Sequence, residues 1–420
     1  MEKFVIQGGT KLKGKVKISG AKNGVLAMMP ATILCPGIYT LKNVPNLRDV
    51  WTMSRLLHDM GIYSELNDSE LFIDSNEIHS FEAPYEHVKK MRASFYVLGP
   101  LVSRFGRAKV SLPGGCAWGP RPVDLHLKGL EKLGAEITIE GGYVVARANK
   151  LVGAKIHLDI PSVGATGNIL MAAVLAKGTT IITNAAIEPE ITALAKFLVK
   201  MGAKIQGIGT NTLEIEGVDE LRSTNEMVIP DRIEAGTILI AGAITEGNVT
   251  IESCNPYHIT AIISKMEEAG CEFDIHEDRV TVRMEGPPKP VDITTAVYPG
   301  FPTDMQSQWV AFMLKSTGVS KVTETIYPDR FKHIPELQRL GALIEMSENS
   351  AIIYGGSKLS GATVMGSDLR GSAALVLAGL IAEGTTEVLR IYHIDRGYES
   401  IDKKLRQLGA HIERVPTDEY

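Results

Sequence analysis

Residues 129–137, GLEKLGAEI, read as the end of a helix, a glycine stop and the opening of a strand. Gly134 stops the helix because glycine takes the left-handed cap conformation without steric cost, and Ile137 begins an apolar stretch. The same phrase returns as RLLHDMGI at 55–62, FLVKMGAKI at 197–205, KMEEAGCEF at 265–273, ELQRLGALI at 336–344 and KLRQLGAHI at 404–412. The stops Gly61, Gly134, Gly202, Gly270, Gly341 and Gly409 are 73, 68, 68, 71 and 68 residues apart, so the 420-residue chain divides into six repeats of about 70 residues.

A second glycine ladder, Gly37, Gly106, Gly178, Gly247, Gly318 and Gly384, reads as closing another helix in each repeat, such as GNILMAAVLAKG and GSAALVLAGLIAEG. These helices are apolar almost all round, the pattern of a helix buried on every side, whereas those ending at the first ladder are amphipathic. The intervening strands, TLEIEG at 212–217, VTVRM at 280–284 and AIIYGG at 351–356, alternate in part and expose one face. The expected fold is α/β, with buried helices inside and sheets outside. Two closed groups of three repeats suit it better than a solenoid, whose repeats are usually shorter. FVIQ at 4–7 and KVKIS at 15–19 are expected to complete the last repeat. Residues 1–21 and 230–420 then form one domain and 22–229 the other, with the active site expected in the cleft between them.

Composition is that of an ordinary globular chain, 44% apolar and 22% charged, and the net charge of -5 offers no global field for nucleic acid. The apolar windows at 24–41 and 373–382 are broken by Pro30, Pro36 and Gly37 or are too short to span a bilayer. The N-terminus lacks the pattern of a secretory signal. Cys35, Cys116, Cys254 and Cys271 form no CxxC pair, and no metal spacing stands out, so no metal or redox cofactor is expected and the cytoplasm is the expected compartment.

The segments that open the buried helices are polar: SGAKNG at 19–24, KKMRAS at 89–94, PSVGATG at 161–167, IPDRIEAG at 229–236, FPTDMQS at 301–307 and SDLRGSA at 367–373. Lys22, Arg92, Arg232 and Arg370 fall where the helix dipole and free N–H groups already favour anions. The plainer reading makes Asp231, Asp304 and Asp368 N-caps and the basic residues solvated. Further charge lies in NVPNLRD at 43–49, PGGCAWGPRPVD at 113–124, NAAIEPE at 184–190, ETIYPDR at 324–330 and RIYHIDRGYE at 390–399, which contribute Arg121, Arg330 and Arg396. Several arginine forks with a lysine imply a substrate carrying several negative charges. Cys116, in a glycine- and proline-rich loop beside Arg121, is expected to be exposed and acid-shifted; Cys35, Cys254 and Cys271 read as small buried residues. His126, His333 and His393 stand apart and read as structural groups or polar contacts.

The motifs SGAKN, MRAS, PGGCAWGPRPVDLH, PSVGAT, PDRIEAG, FPTDMQ, DLR and HIDRGYE together resemble the UDP-N-acetylglucosamine enolpyruvyl transferase family over essentially the whole chain. The resemblance implies a two-domain inside-out α/β barrel and a transferase moving the enolpyruvyl group of phosphoenolpyruvate to the 3-hydroxyl of UDP-N-acetylglucosamine, the first committed step of peptidoglycan synthesis. It makes Cys116 the general acid, able to form a thioether adduct and to be alkylated by fosfomycin, and Asp304 the base. It sets Lys22, Arg121 and Arg396 on the phosphate, Arg330 and Arg370 on the carboxylate, and Asn23 between the substrates. Arg92, Arg121, Pro122, Val123, Asp124, Leu125, Ser162, Val163, Gly164 and Ile326 would hold the nucleotide sugar, and Asp368 would serve the elimination. Ile160 departs from members that carry a basic residue there. Two other readings remain: a 5-enolpyruvylshikimate-3-phosphate synthase, which lacks the PGGC loop, and a non-catalytic nucleotide-sugar-binding regulator, against which the retention of Lys22, Cys116, Asp304 and Arg396 speaks.

Overall fold

The computed structural model describes residues 1–113 and 123–418. Contacts divide the chain into two compact units, a discontinuous one, Met1–Ser19 with Pro230–Tyr420, and a continuous one, Gly20–Ile229. Every glycine of the first ladder is left-handed, with φ between +92° at Gly134 and +113° at Gly202, and a strand opens two residues later in all six repeats, as at Tyr63–Asn67 and Glu136–Glu140. The second ladder differs from its sequence reading. Only Gly106 caps a helix directly; all six instead stand one residue before a strand, at Ile38–Lys42, Arg107–Ser111, Thr179–Thr183, Asn248–Glu252, Val319–Thr323 and Thr385–Leu389. A helix entering a strand needs a sharp reversal, and two of these glycines lie so close to backbone that a Cβ would collide: it would stand 2.4 Å from the Ala148 carbonyl oxygen at Gly106 and 2.1 Å from that of Leu12 at Gly247.

Six helices run through the two cores: α1 Lys22–Ala31, α2 Leu98–Phe105, α3 Val163–Ala173, α4 Arg232–Ile244, α5 Gln306–Met313 and α6 Leu369–Gly379. In α4 every residue after Arg232 is buried, and α5 is buried along its whole length. Such helices have no polar face to turn outward, so they are stable only when packed on all sides. In the discontinuous unit α4, α5 and α6 pack on one another; in the continuous unit α2 packs on α3, and α1 packs on the helix Pro189–Lys200.

Around these helices lie six four-stranded sheets of one design. In each, a central strand takes a parallel partner on one side and an antiparallel pair of strands on the other; that pair is a hairpin in five sheets and Glu2–Gln7 with His411–Pro416 in the sixth. Thr212–Glu216 shows the expected alternation, with Leu213 and Ile215 buried and their neighbours exposed. The N-terminal strands part company. Glu2–Gln7 completes the sixth repeat's sheet between Thr385–Leu389 and His411–Pro416, as expected, but Lys13–Lys17 pairs with Asn248–Glu252 in the fourth repeat's sheet. In the continuous unit Glu226–Met227 pairs with Ile38–Lys42 and gives the first repeat its parallel strand. Borrowed strands satisfy backbone groups that a free edge would leave open, a demand invisible in local sequence. Among the described residues no helix is long and apolar enough to cross a membrane.

Candidate active site

Asp304 stands in a single turn of 3-10 helix, Thr303–Met305, that leads into α5, and it caps nothing: the residue before that turn is Pro302, and no side chain there accepts a cap hydrogen bond. Its carboxylate faces two arginines. Oδ1 accepts from Arg330 Nη1 at 2.6 Å and Oδ2 from Arg370 Nη2 at 2.8 Å. Both arginine side chains are nearly enclosed, whereas that of Asp304 is 24% exposed. Burial pushes the Asp304 carboxyl up, but the charges of Arg370 and Arg330 outweigh it and hold the group well below the usual carboxylate range. Arg330 Nε has no hydrogen-bond partner among the described residues, so this guanidinium keeps donor capacity for a further anion.

Asp231 and Asp368 do take the plainer role. Asp231 accepts from the backbone N–H groups of Ile233 and Glu234, and Asp368 from those of Arg370 and Gly371. By capping α6, Asp368 fixes the start of the helix from which Arg370 projects. Arg396 ends the 3-10 turn Ile391–Arg396, which packs on α6. That packing depends on Gly397, where a Cβ would stand 2.6 Å from the Leu369 side chain. The adjoining Asp395 is gripped by both terminal nitrogens of Arg414, at 2.7 and 3.1 Å.

The continuous unit gathers a second set of expected residues. Arg92 opens the turn Arg92–Val97, Val123 and Asp124 open the helix Asp124–Lys132, and Ser162 caps α3 by accepting from the Ala165 N–H at 3.2 Å. A buried amide joins the three segments. Asn168 donates to the Phe95 carbonyl at 2.9 Å and contacts His126 Nδ1 at 3.0 Å, while its Oδ1 accepts from the Gly99 N–H at 2.6 Å. Burial, aided by the charge of Arg92, lowers the His126 pKa to about 3, so the ring is neutral and serves as a structural group. Gly164 rests against that ring: a Cβ there would stand 3.0 Å from His126 Cε1 and Nε2. Tyr96 ties the turn to α3 by donating to the Val163 carbonyl at 3.3 Å. Leu125 is buried, while Ile160 is 57% exposed.

Lys22, the first residue of α1, pairs with the buried Asp49 at 2.8 Å, and Asn23 follows it half-buried. Ile326, in the loop leading to Arg330, is exposed. Cys116, Arg121 and Pro122 lie outside the described residues. The other three cysteines are free and buried, and burial raises their pKa values, to about 11 at Cys254 and about 12 at Cys271, which makes them poor nucleophiles. Sequence reasoning overlooked Asn168 and Asp49 as organising groups. The polar Asn168 within the otherwise apolar GNILMAAVLAKG was the available signal for the first.

Residues 6–405 match the family model of EPSP synthase (3-phosphoshikimate 1-carboxyvinyltransferase). The chain is 57% identical over its full length to a UDP-N-acetylglucosamine 1-carboxyvinyltransferase of Chloroherpeton thalassium, with 99% of that protein covered, and 56% identical to one of Chlorobium chlorochromatii, covered completely. Among solved structures, the enolpyruvyl transferase NikO from Streptomyces tendae superposes with a TM-score of 0.89 at 24% identity, covering 99% of both chains. EPSP synthase from Acinetobacter baumannii gives 0.77 at 19%, covering 99% of this chain and all of that one, so these two likenesses speak to the fold. With relatives this similar along the entire sequence, the chain belongs to the UDP-N-acetylglucosamine 1-carboxyvinyltransferase family, on the fold shared by enolpyruvyl transferases.

Proposed function

We propose that this protein transfers the enolpyruvyl group of phosphoenolpyruvate to the 3-hydroxyl of UDP-N-acetylglucosamine and releases phosphate. The full-length identity to transferases of that name supports the acceptor, and a carboxylate held between two enclosed arginines supports a carboxylate-bearing donor. In this reading Cys116 protonates the methylene carbon of phosphoenolpyruvate while the sugar hydroxyl oxygen bonds to C2 and Asp304 takes the hydroxyl proton. The tetrahedral ketal then loses phosphate from C2 and a proton from the new methyl group, which restores the double bond. Positioned acid and base groups of this kind contribute roughly 10²–10⁴-fold each.

Lys22, Arg121 and Arg396 are assigned to the phosphate and Arg330 and Arg370 to the carboxylate, with Asn23 beside the reacting hydroxyl and Asp368 assisting elimination. Arg92, the run from Arg121 to Leu125, Ser162 to Gly164 and Ile326 are assigned to the nucleotide sugar. The Asp304 geometry gives this scheme a sequence of events. The substrate carboxylate and Asp304 seek the same guanidinium groups, so each arginine drawn toward the substrate loosens its hold on Asp304. A carboxylate released from cationic neighbours becomes more basic, which suits Asp304 to accept a proton only once the donor is bound. The setting is the cytoplasm, where both substrates are found in this reading.

Phosphate release measured with phosphoenolpyruvate and either UDP-N-acetylglucosamine or shikimate 3-phosphate decides between the family's two acceptors. Turnover with the nucleotide sugar alone is expected. Turnover with shikimate 3-phosphate alone overturns the assignment, and Cys116→Ala with unchanged turnover removes the proposed acid.

A further inference from the structure

Where the central strand of a sheet ends, two repeats place an asparagine with left-handed φ: Asn43 at +57° and Asn184 at +55°. Each donates its side-chain amide to a carbonyl at the end of the neighbouring parallel strand, Val228 and Leu158 respectively. The other four repeats carry Leu112, Ser253, Glu324 and Arg390 at this position, and the fifth is the one that encloses a carboxyl side chain there. After Val319–Thr323 comes Glu324, which is fully buried and has no ion-pair partner among the described residues. Its side chain acts wholly as an acceptor: Oε1 receives the Thr295 hydroxyl at 2.7 Å and the N–H groups of Ile326 and Tyr327 at 2.7 and 2.8 Å, and Oε2 receives the Thr303 hydroxyl at 2.8 Å.

Three of those four partners, all but Thr295, lie in the two segments that carry the candidate chemistry. Thr303 precedes Asp304, and Ile326 and Tyr327 lead into the turn Pro328–Phe331 that holds Arg330. The chain of contacts continues, because Thr303 Oγ1, having given its proton to Glu324, presents a lone pair that accepts from Arg330 Nη1 at 3.2 Å. The same nitrogen donates to Asp304. A hydroxyl whose proton is committed in one direction is an oriented acceptor in the other.

We propose that Glu324 and Thr303 are positioning residues: Glu324 orients the Thr303 hydroxyl, which holds the Arg330 guanidinium between Asp304 and the substrate carboxylate. The proposal rests on the roles of Asp304 and Arg330 given above, and it assigns the enclosed carboxyl side chain of the fifth repeat a purpose in donor binding. A buried carboxyl side chain is costly to enclose without a cation, and four hydrogen bonds directed at two loops offset that cost where an asparagine could supply fewer acceptors.

The test compares Thr303→Ser, which keeps the hydroxyl, with Thr303→Val, which removes it at similar volume, and with Glu324→Gln, which keeps an acceptor for the backbone N–H groups but places a donor toward Thr303. Steady-state phosphate release should give Thr303→Ser a KM for phosphoenolpyruvate within about twofold of wild type. Thr303→Val and Glu324→Gln should raise it about tenfold or more, the size of one hydrogen bond to a charged group, with the KM for UDP-N-acetylglucosamine changed less than twofold. A Thr303→Val enzyme indistinguishable from Thr303→Ser, or one in which both KM values rise together, overturns the proposal. Should the wild-type protein release no phosphate, the functional reading fails by itself, and crystal structures of the variants still decide the positioning claim. Arg330 turning away from Asp304 in Thr303→Val but not in Thr303→Ser supports it; Arg330 unmoved in both refutes it.

Discussion

Two clusters, one in each unit, bury polar groups in opposite ways. In the discontinuous unit Asp304, Arg330 and Arg370 meet as full charges, while in the continuous unit Asn168 and His126 join three segments through neutral groups. Enclosing charges carries a desolvation cost that only close opposite charges recover, so a competing anion readily disturbs such a cluster. Neutral hydrogen bonds are cheaper to enclose and have no reason to exchange partners. In the proposed mechanism the charged cluster is the one whose groups trade partners with the substrate, and the neutral cluster is the one that holds loops in place.

Replacing Asp304 tests the charged side of this contrast and should have the largest effect. Asp304→Asn should lower kcat by roughly 10²–10⁴-fold, the usual worth of a general base. The variant should also lose on the order of 3 kcal/mol in denaturant unfolding, because two enclosed guanidinium groups are left without their counter-ion. Activity near wild type would break the comparison at its base. Asn168→Leu should cost about 2–3 kcal/mol by leaving the Gly99 N–H unsatisfied, with kcat at saturating substrates within a fewfold of wild type and the loss appearing in the KM for the nucleotide sugar.

Acid titration of stability separates the two clusters by pH. Folded His126 titrates near 3, below its ordinary value of about 6.5, so the unfolded chain binds protons first. Its contribution is whole above about pH 6.5 and is lost as pH falls toward 3, by up to about 1.4 kcal/mol per pH unit. His333, lowered to about 4 mainly by burial, acts with the same sign. Asp304, also lowered, contributes above the ordinary aspartate value of about 3.9 and loses that only below it. Urea midpoints of His126→Gln should therefore show a shallower slope than wild type between pH 6.5 and 4, whereas Asp304→Asn should keep the wild-type slope there. The smallest effect belongs to Gly164→Ala, whose methyl group meets the His126 ring and should cost about 1 kcal/mol, with a modest rise in the KM for the nucleotide sugar. A stabilised Gly164→Ala would show that the ring can move.

Much of this arrangement is legible in one dimension. The first glycine ladder announces six left-handed helix stops, and all six occur, since a backbone angle is a local property. All-round apolarity likewise identifies most of the core helices, because burial on every side removes any need for a polar face; α2 is the departure, with Ser103 and Arg104 in a half-buried last turn. The second ladder marks strand entrances, and Gly106 alone of its members is also a helix stop, since both duties ask the same freedom of glycine. Capping was equally ambiguous for Asp231, Asp304 and Asp368, three aspartates at similar helix starts, of which two cap and one binds arginines.

The sequence by itself determined the repeat, the helix stops, the buried helices and the set of charged residues at their starts, all of which depend on neighbours within a few residues. Tertiary structure alone decided which sheet each N-terminal strand enters, that Asp304 faces Arg370 across 66 residues of chain, and that Glu324 reaches Thr303 across 21. Those outcomes depend on which distant segments compete for the same backbone edge or the same charge, and such competition is settled only when the chain closes on itself.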